Sequence, residues 1–111
     1  MGITKSEIFT VEQNQLAQFA KAFSHPARVA ILQYLFKAES CVCGSLVDEI
    51  GLAQATISQH LKELKNLGLI QGTVEGTSVC YCINTTVWDE MKAVLTSFLN
   101  QDTDVANDTC C

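Results

Sequence analysis

Three observations predict a mainly α fold with a small β-hairpin, arranged as a winged helix-turn-helix. Apolar residues recur at helical spacing in several stretches of the 111-residue chain. Two of the resulting helices are separated by a turn of about three residues after Ile50. Two short alternating strands then meet across Glu75-Gly76-Thr77.

The elements follow in order. Thr10 with Gln13 forms a capping-box signature, and Leu16, Phe19, Ala20 and Phe23 then fall at i, i+3, i+4 and i+7 of an amphipathic helix. Ser24-His25-Pro26 interrupts it and starts a second helix, because proline is tolerated in a first turn and not later. Val29, Ile31, Leu32, Leu35 and Phe36 supply the buried side of that helix, which is expected to end near Lys37. Ser45 and Asp48 suggest a second capping box for a short helix stopped by Gly51. A longer helix over 54–67 carries Ile57, Leu61 and Leu64 inward and stops at Gly68. Strands are expected over 69–75 and 78–84, with Val79, Tyr81 and Ile83 alternating against Cys80 and Cys82. Thr86 with Asp89 reads as the cap of a last helix, whose stripe is Met91, Val94, Leu95 and Phe98. Residues 1–100 thus read as one domain, and 101–111 as an acidic tail ending in Cys110-Cys111.

Composition narrows the function classes. Apolar residues make up 48% and charged residues 17%, so the chain can bury a core and keep apolar surface for a partner copy. No apolar run approaches the ~18 residues of a membrane span. The net charge is −5, which excludes a strongly basic nucleic-acid binder. Asp102, Asp104 and Asp108 carry much of that charge, leaving −2 for residues 1–100. Local lysines and backbone N–H groups must therefore meet any phosphate. The start lacks a secretory signal, which points to the cytoplasm and to six free thiols available for metal or redox chemistry. No Gly-rich phosphate loop, nucleophile elbow or His–carboxylate pairing suggests an enzyme.

Two stretches carry a family resemblance. His25-Pro26-Ala27-Arg28-Val29-Ala30-Ile31-Leu32 resembles the second helix of the ArsR/SmtB family of metal-responsive bacterial repressors. The run from Thr56 to Leu64, with Gly68-Leu69-Ile70, resembles its recognition helix and first wing strand. Cys41-Val42-Cys43-Gly44-Ser45-Leu46 further resembles the arsenic-sensing segment of its arsenic-responsive members. The resemblance implies a homodimer that represses an arsenic-resistance operon and leaves its double-stranded operator when As(III) binds, with Sb(III) as the alternative inducer. It also implies no organic cofactor and no membrane partner. The family's arsenic site has a third cysteine a few residues after the pair, where Leu46 stands here. Wing positions that often hold Arg or Tyr are Thr77, Cys80 and Cys82. Zinc is not expected on the last helix, since residues 84–100 contain Asp89 and Glu90 but no His.

As(III) takes three thiolates in a pyramid. A Cys-x-Cys pair serves it off a regular helix, because in extended chain i and i+2 share a side. The pair Cys41 and Cys43 precedes the Ser45 cap, where the positive helix end should favour thiolate. For the third sulfur, Cys110 or Cys111 on the tail could reach the pair, ten residues spanning up to ~35 Å. Cys80 and Cys82 share a strand face and reach each other, but not obviously Cys41. For DNA, Gln54, Thr56, Ser58 and Gln59 are placed to meet base edges, and Lys62, Lys65, Gly76 and Thr77 to meet phosphate. His60 reads as a packing residue within the helix-turn-helix, and His25 as ordering the turn before Pro26. Two rival functions keep the fold: a thiol-redox or persulfide-responsive repressor, and a winged-helix protein-interaction module.

Overall fold

The computed structural model describes residues 8–38, 40–43, 46–76 and 78–102. Its elements are α1 (Val11–Ala20), α2 (Pro26–Ala38), β1 (Val42–Cys43), α3 (Leu46–Ile50), α4 (Gln54–Asn66), β2 (Ile70–Glu75), β3 (Ser78–Ile83) and α5 (Thr85–Leu99), with a 3-10 turn at Lys21–Phe23 between α1 and α2. The order is that of a winged helix-turn-helix: α3 and α4 form the helix-turn-helix, and β2 and β3 form the wing.

Local chemistry sets the boundaries. At α1 the expected capping box is present in full: Thr10 Oγ1 accepts from Gln13 N–H at 3.0 Å, and Gln13 Oε1 accepts from Thr10 N–H at 2.9 Å. Each bond satisfies a donor that helix geometry leaves unpaired. The first helix is shorter than its apolar period suggests, because the chain tightens into the 3-10 turn before Pro26. α4 ends in a Schellman motif. Gly68 N–H donates to Lys65 C=O at 2.9 Å and Leu69 N–H donates to Leu64 C=O at 3.2 Å, with Gly68 at φ 83°. Leu64 and Leu69, both fully buried, supply the apolar contact of the motif. A Cβ at Gly68 would meet only Val87, at ordinary contact distance, so the strain of Gly68→Ala is in the backbone alone. The substitution is expected to cost ~1–2 kcal/mol of stability by urea denaturation; no measurable loss would mean that the helix end relaxes out of the left-handed conformation.

At α5 the structure corrects the expected cap. The N-cap is Asn84, whose side chain accepts from Val87 N–H at 3.3 Å, and Thr86 lies inside the helix. Asn84 N–H also donates to Leu69 C=O at 2.8 Å, closing the base of the hairpin. One residue thus ends the wing and starts the last helix.

The core lies between α2, α4 and the base of the sheet. Ile31, Leu32 and Leu35 of α2 meet Ile57, Leu61 and Leu64 of α4, with Leu46, Leu69, Ile70, Phe19 and Met91 around them. Each fully buried aliphatic chain contributes roughly 1.5–3 kcal/mol relative to exposure. Phe36 was expected inside but is 45% exposed, packed edge-on against Trp88 at 4.6 Å. Further apolar surface lies at the chain's two end helices: Val11 of α1 and Phe98 and Leu99 of α5 are exposed. Gln15 Nε2 bonds Glu90 Oε1 at 2.9 Å between the same two helices. No described helix is long and apolar enough to cross a membrane.

The sheet has three strands in the order β1-β3-β2, all antiparallel. The extended segment expected at Cys41-Val42-Cys43 therefore does more than lead into α3: it pairs with the wing, Val42 opposite Tyr81 and Cys43 opposite Cys80. The expected alternation on β3 holds: Tyr81 and Ile83 pack against the core, and Cys80, on the other face of the strand, is buried as well, while Val79 near the wing tip is 38% exposed.

Candidate nucleic-acid interface and thiol site

The outward side of α4 follows from its inward one. Ile57, Leu61 and Leu64 fix one face on the core, so helical periodicity turns the polar residues away from it. Gln54, Thr56, Ser58, Gln59, Lys62 and Lys65 are all exposed. Gln54 Nε2 donates to Ser58 Oγ at 3.0 Å and Gln59 Nε2 to Glu63 Oε1 at 3.4 Å, one turn apart. The first half of that face, Gln54, Thr56, Ser58 and Gln59, is thus a row of uncharged donors and acceptors, the chemistry that base-edge readout uses, and Lys62 and Lys65 follow it. Lys65 leans toward the wing: a Cβ built on Gly72 would sit 3.5 Å from its Nζ and 3.2 Å from Tyr81 Cε1. The missing side chain at 72 is what lets Lys65 and Tyr81 lie across β2. Gly76 is exposed at the wing tip with φ 63°, and Thr77 lies outside the described residues.

An Arg–His contact couples α2 to this helix. Arg28 Nε donates to His60 Nδ1 at 3.1 Å, and Arg28 Nη1 donates to Lys21 C=O at 2.7 Å. His25 orders its turn as expected, its Nδ1 accepting from Ala27 N–H at 3.0 Å, and its ring lies 4.6 Å from that of His60. Sequence reasoning placed both histidines correctly but missed Arg28, which gave no signal beyond its place in the second-helix motif. Burial first, then His25 and the Arg28 guanidinium, hold the His60 imidazole below its ordinary 6.5. The unfolded chain then binds the proton more readily, so stability rises with pH through this window. Stability is expected to fall as the pH drops below about 6.5 toward the folded value, and His60→Gln is expected to flatten the change. Denaturation at pH 7.5 and 5.5 checks it; an equal slope in both proteins would assign the effect elsewhere.

The cysteines contradict two expectations. Among the described residues, three are not free thiols: Cys41 and Cys82 form a disulfide across β1 and β3, with their Cα atoms 4.5 Å apart, and Cys80 is disulfide-bonded as well. Cys82 also has reach toward Cys41, which the sequence reading did not grant it. The reason is β1: its pairing with β3 sets Cys41 beside Cys82 and the backbone of Cys43 opposite Cys80. Cys41 is exposed and Cys82 half-buried. Cys110 and Cys111, the other candidates for a third sulfur, lie outside the described residues, as does Ser45. The polarisation expected from the helix after the pair has no bearing on the bonded sulfur of Cys41, which does not titrate. With the disulfides formed, no group of three or more His, Cys, Asp or Glu among the described residues is arranged to hold a metal ion.

Residues 25–71, which hold the helix-turn-helix and the Arg28–His60 contact, match the model of the bacterial regulatory proteins of the arsR family. An uncharacterized HTH-type transcriptional regulator of Methanocaldococcus jannaschii is 40% identical over 80 residues, covering 71% of this chain and 85% of the relative. The chain belongs to the arsR family. Among solved structures, the homodimeric winged helix-turn-helix DNA-binding domain of a possible ArsR-family regulator from Mycobacterium bovis superposes with a TM-score of 0.63. It is 26% identical and covers 86% of this chain and 87% of that one. The cadmium metal-sensor CmtR of Mycobacterium tuberculosis gives a TM-score of 0.53 at 31% identity, covering 80% of this chain and 92% of that one. As an arsR-family member the chain is a transcriptional regulator rather than an enzyme. The family is shared by sensors of different signals, so membership alone does not assign arsenic.

Proposed function

We propose that this arsR-family regulator is a homodimeric repressor that binds operator DNA through α4 and the wing and releases it when As(III), or its neighbour Sb(III), is captured by cysteine thiolates. The observation that carries the reading is the β1–β3 pairing, which gathers cysteines of the family's sensing segment and of the wing at one corner of the sheet. Cys41 and Cys43 supply two sulfurs and Cys82 the third, in place of the cysteine that Leu46 replaces. Thiolates outcompete oxygen and imidazole for so soft an ion. The likeness to a cadmium sensor supports a metal-type signal. The exposed apolar residues of α1 and α5, and the likeness to a homodimeric relative, support the dimer.

The coupling route follows from the connections. The captured ion draws together the residue before β1 and the wing strand β3, while α3, which follows β1, packs on α4. A change of tilt at that corner alters the spacing of the two recognition helices on successive turns of DNA. Couplings of this kind are worth ~1–3 kcal/mol, or ~5- to 150-fold in affinity. Reduced Cys41→Ser protein is expected to bind an operator fragment like the parent and to keep that affinity when arsenite is added. Normal release by the variant would place the sensor elsewhere.

A second reading rests on the disulfide itself. Oxidation of Cys41 and Cys82 to the disulfide removes two electrons and two protons and ties the same two segments together, so a thiol oxidant could act as the signal. Titrating reduced protein on the operator with arsenite and separately with an oxidant distinguishes the two.

A further inference from the structure

We propose that reduced Cys41 and Cys82, with the apolar pocket beside them, form a site for monosubstituted trivalent arsenicals, R–As(OH)2, in which R is a small aromatic group. The inference takes from the proposed function only that arsenic is the ion these sulfurs meet.

A cavity of about 340 Å3 opens beside the pair. Its walls are Leu35 and Phe36 of α2, Ser40, and Ile83 and Thr85, with Cys41 and Cys82 at one side. Leu35 is buried, and Phe36 is held edge-on by Trp88 at 4.6 Å, so the apolar wall is in place without the ligand. Inorganic As(III) offers three exchangeable oxygens and calls for three sulfurs. A carbon substituent takes one of those positions and leaves two, which matches the adjacent pair. A Cα separation of 4.5 Å puts the two side chains at the close spacing of a non-hydrogen-bonded cross-strand pair, within the span of a one-atom bridge. The substituent must then leave water, and the apolar wall receives it. An arsenic that carries only oxygen gains nothing from Leu35, Phe36 or Ile83.

The chemistry balances without a change in oxidation state at arsenic. A dithiol reductant first gives the disulfide two electrons and two protons and becomes a disulfide itself. Two As–S bonds then form, two As–O bonds break, and two waters leave with the thiol protons. The organic group stays on arsenic throughout.

The test uses the reduced full chain without DNA, phenylarsine oxide and methylarsonous acid as probes, intact mass for stoichiometry, and the fluorescence of the single tryptophan, Trp88, for affinity. One phenylarsine more per chain than in Cys82→Ser is expected, bound about tenfold or more tightly than the methyl compound because more apolar surface leaves water. Cys82→Ser is expected to abolish that binding. Ser40→Phe, an exposed position at the mouth, is expected to remove the phenyl preference by filling the space the ring would take. Equal affinities for the two probes, a phenyl preference that survives Ser40→Phe, or full binding by Cys82→Ser would each overturn the proposal. A chain that binds phenylarsine in this way yet keeps its operator in the presence of arsenite would refute the proposed function and leave this site standing.

Discussion

Replacing Cys82 by serine is expected to abolish arsenite-induced release of operator DNA, whereas a chain ending at residue 102 is expected to release it normally. The contrast separates the two sources of a third sulfur. Cys82 lies on β3, directly beside Cys41, and is held there by strand pairing, so a ligand set completed by it forms at little entropic cost. Cys110 and Cys111 would have to be recruited from a tail, and the closure of that loop would weaken the site. The expected loss is the whole coupling, ~5- to 150-fold in operator affinity between arsenite-free and arsenite-saturated protein. Gel-shift or anisotropy titrations with reduced protein read it directly. If the truncated chain loses its response while Cys82→Ser keeps it, the tail is the ligand and the β1–β3 corner is only scaffold.

Leu64→Ala is expected to give the largest loss of stability, ~2–5 kcal/mol, against a total of ~5–15 kcal/mol for a domain of this kind. Leu64 is fully buried at the centre of the α2–α4 contact, and its carbonyl accepts the Leu69 N–H of the Schellman motif. Truncation leaves a cavity that α2 and the start of β2 are poised to fill only partly, since both are held by further buried residues on either side. Urea denaturation at fixed protein concentration and fixed redox state measures the loss. A change below about 1 kcal/mol would show that the core collapses around the gap.

The helices were legible because their signals are local. The Thr10–Gln13 box, the Ile57, Leu61 and Leu64 period and Gly68 each act within a few residues of the structure they specify, and each is found where expected. The α5 cap was misplaced by two residues because Asn84, Thr85 and Thr86 are all polar, and only the strand end at Ile83 decides which of them precedes the helix. β1 was legible as extended chain but not as a sheet strand. Two residues carry no period, and their partners lie nearly forty positions downstream. The same non-local pairing hid the adjacency of Cys41 and Cys82 and with it the disulfide. Exposure of the α4 polar face followed from its apolar one, while the Arg28–His60 contact depended on how α2 crosses α4, which no spacing along the chain encodes.

The Cys41–Cys82 linkage spans 41 positions, and everything between them, α3, α4 and β2 included, is closed into a covalent ring. A single proteolytic cut inside that ring severs the backbone without freeing a fragment until the sulfur bond is broken. In an oxidised molecule the DNA-reading module would thus survive nicking as one piece, and the redox state of its surroundings would decide whether the damage becomes a loss of mass.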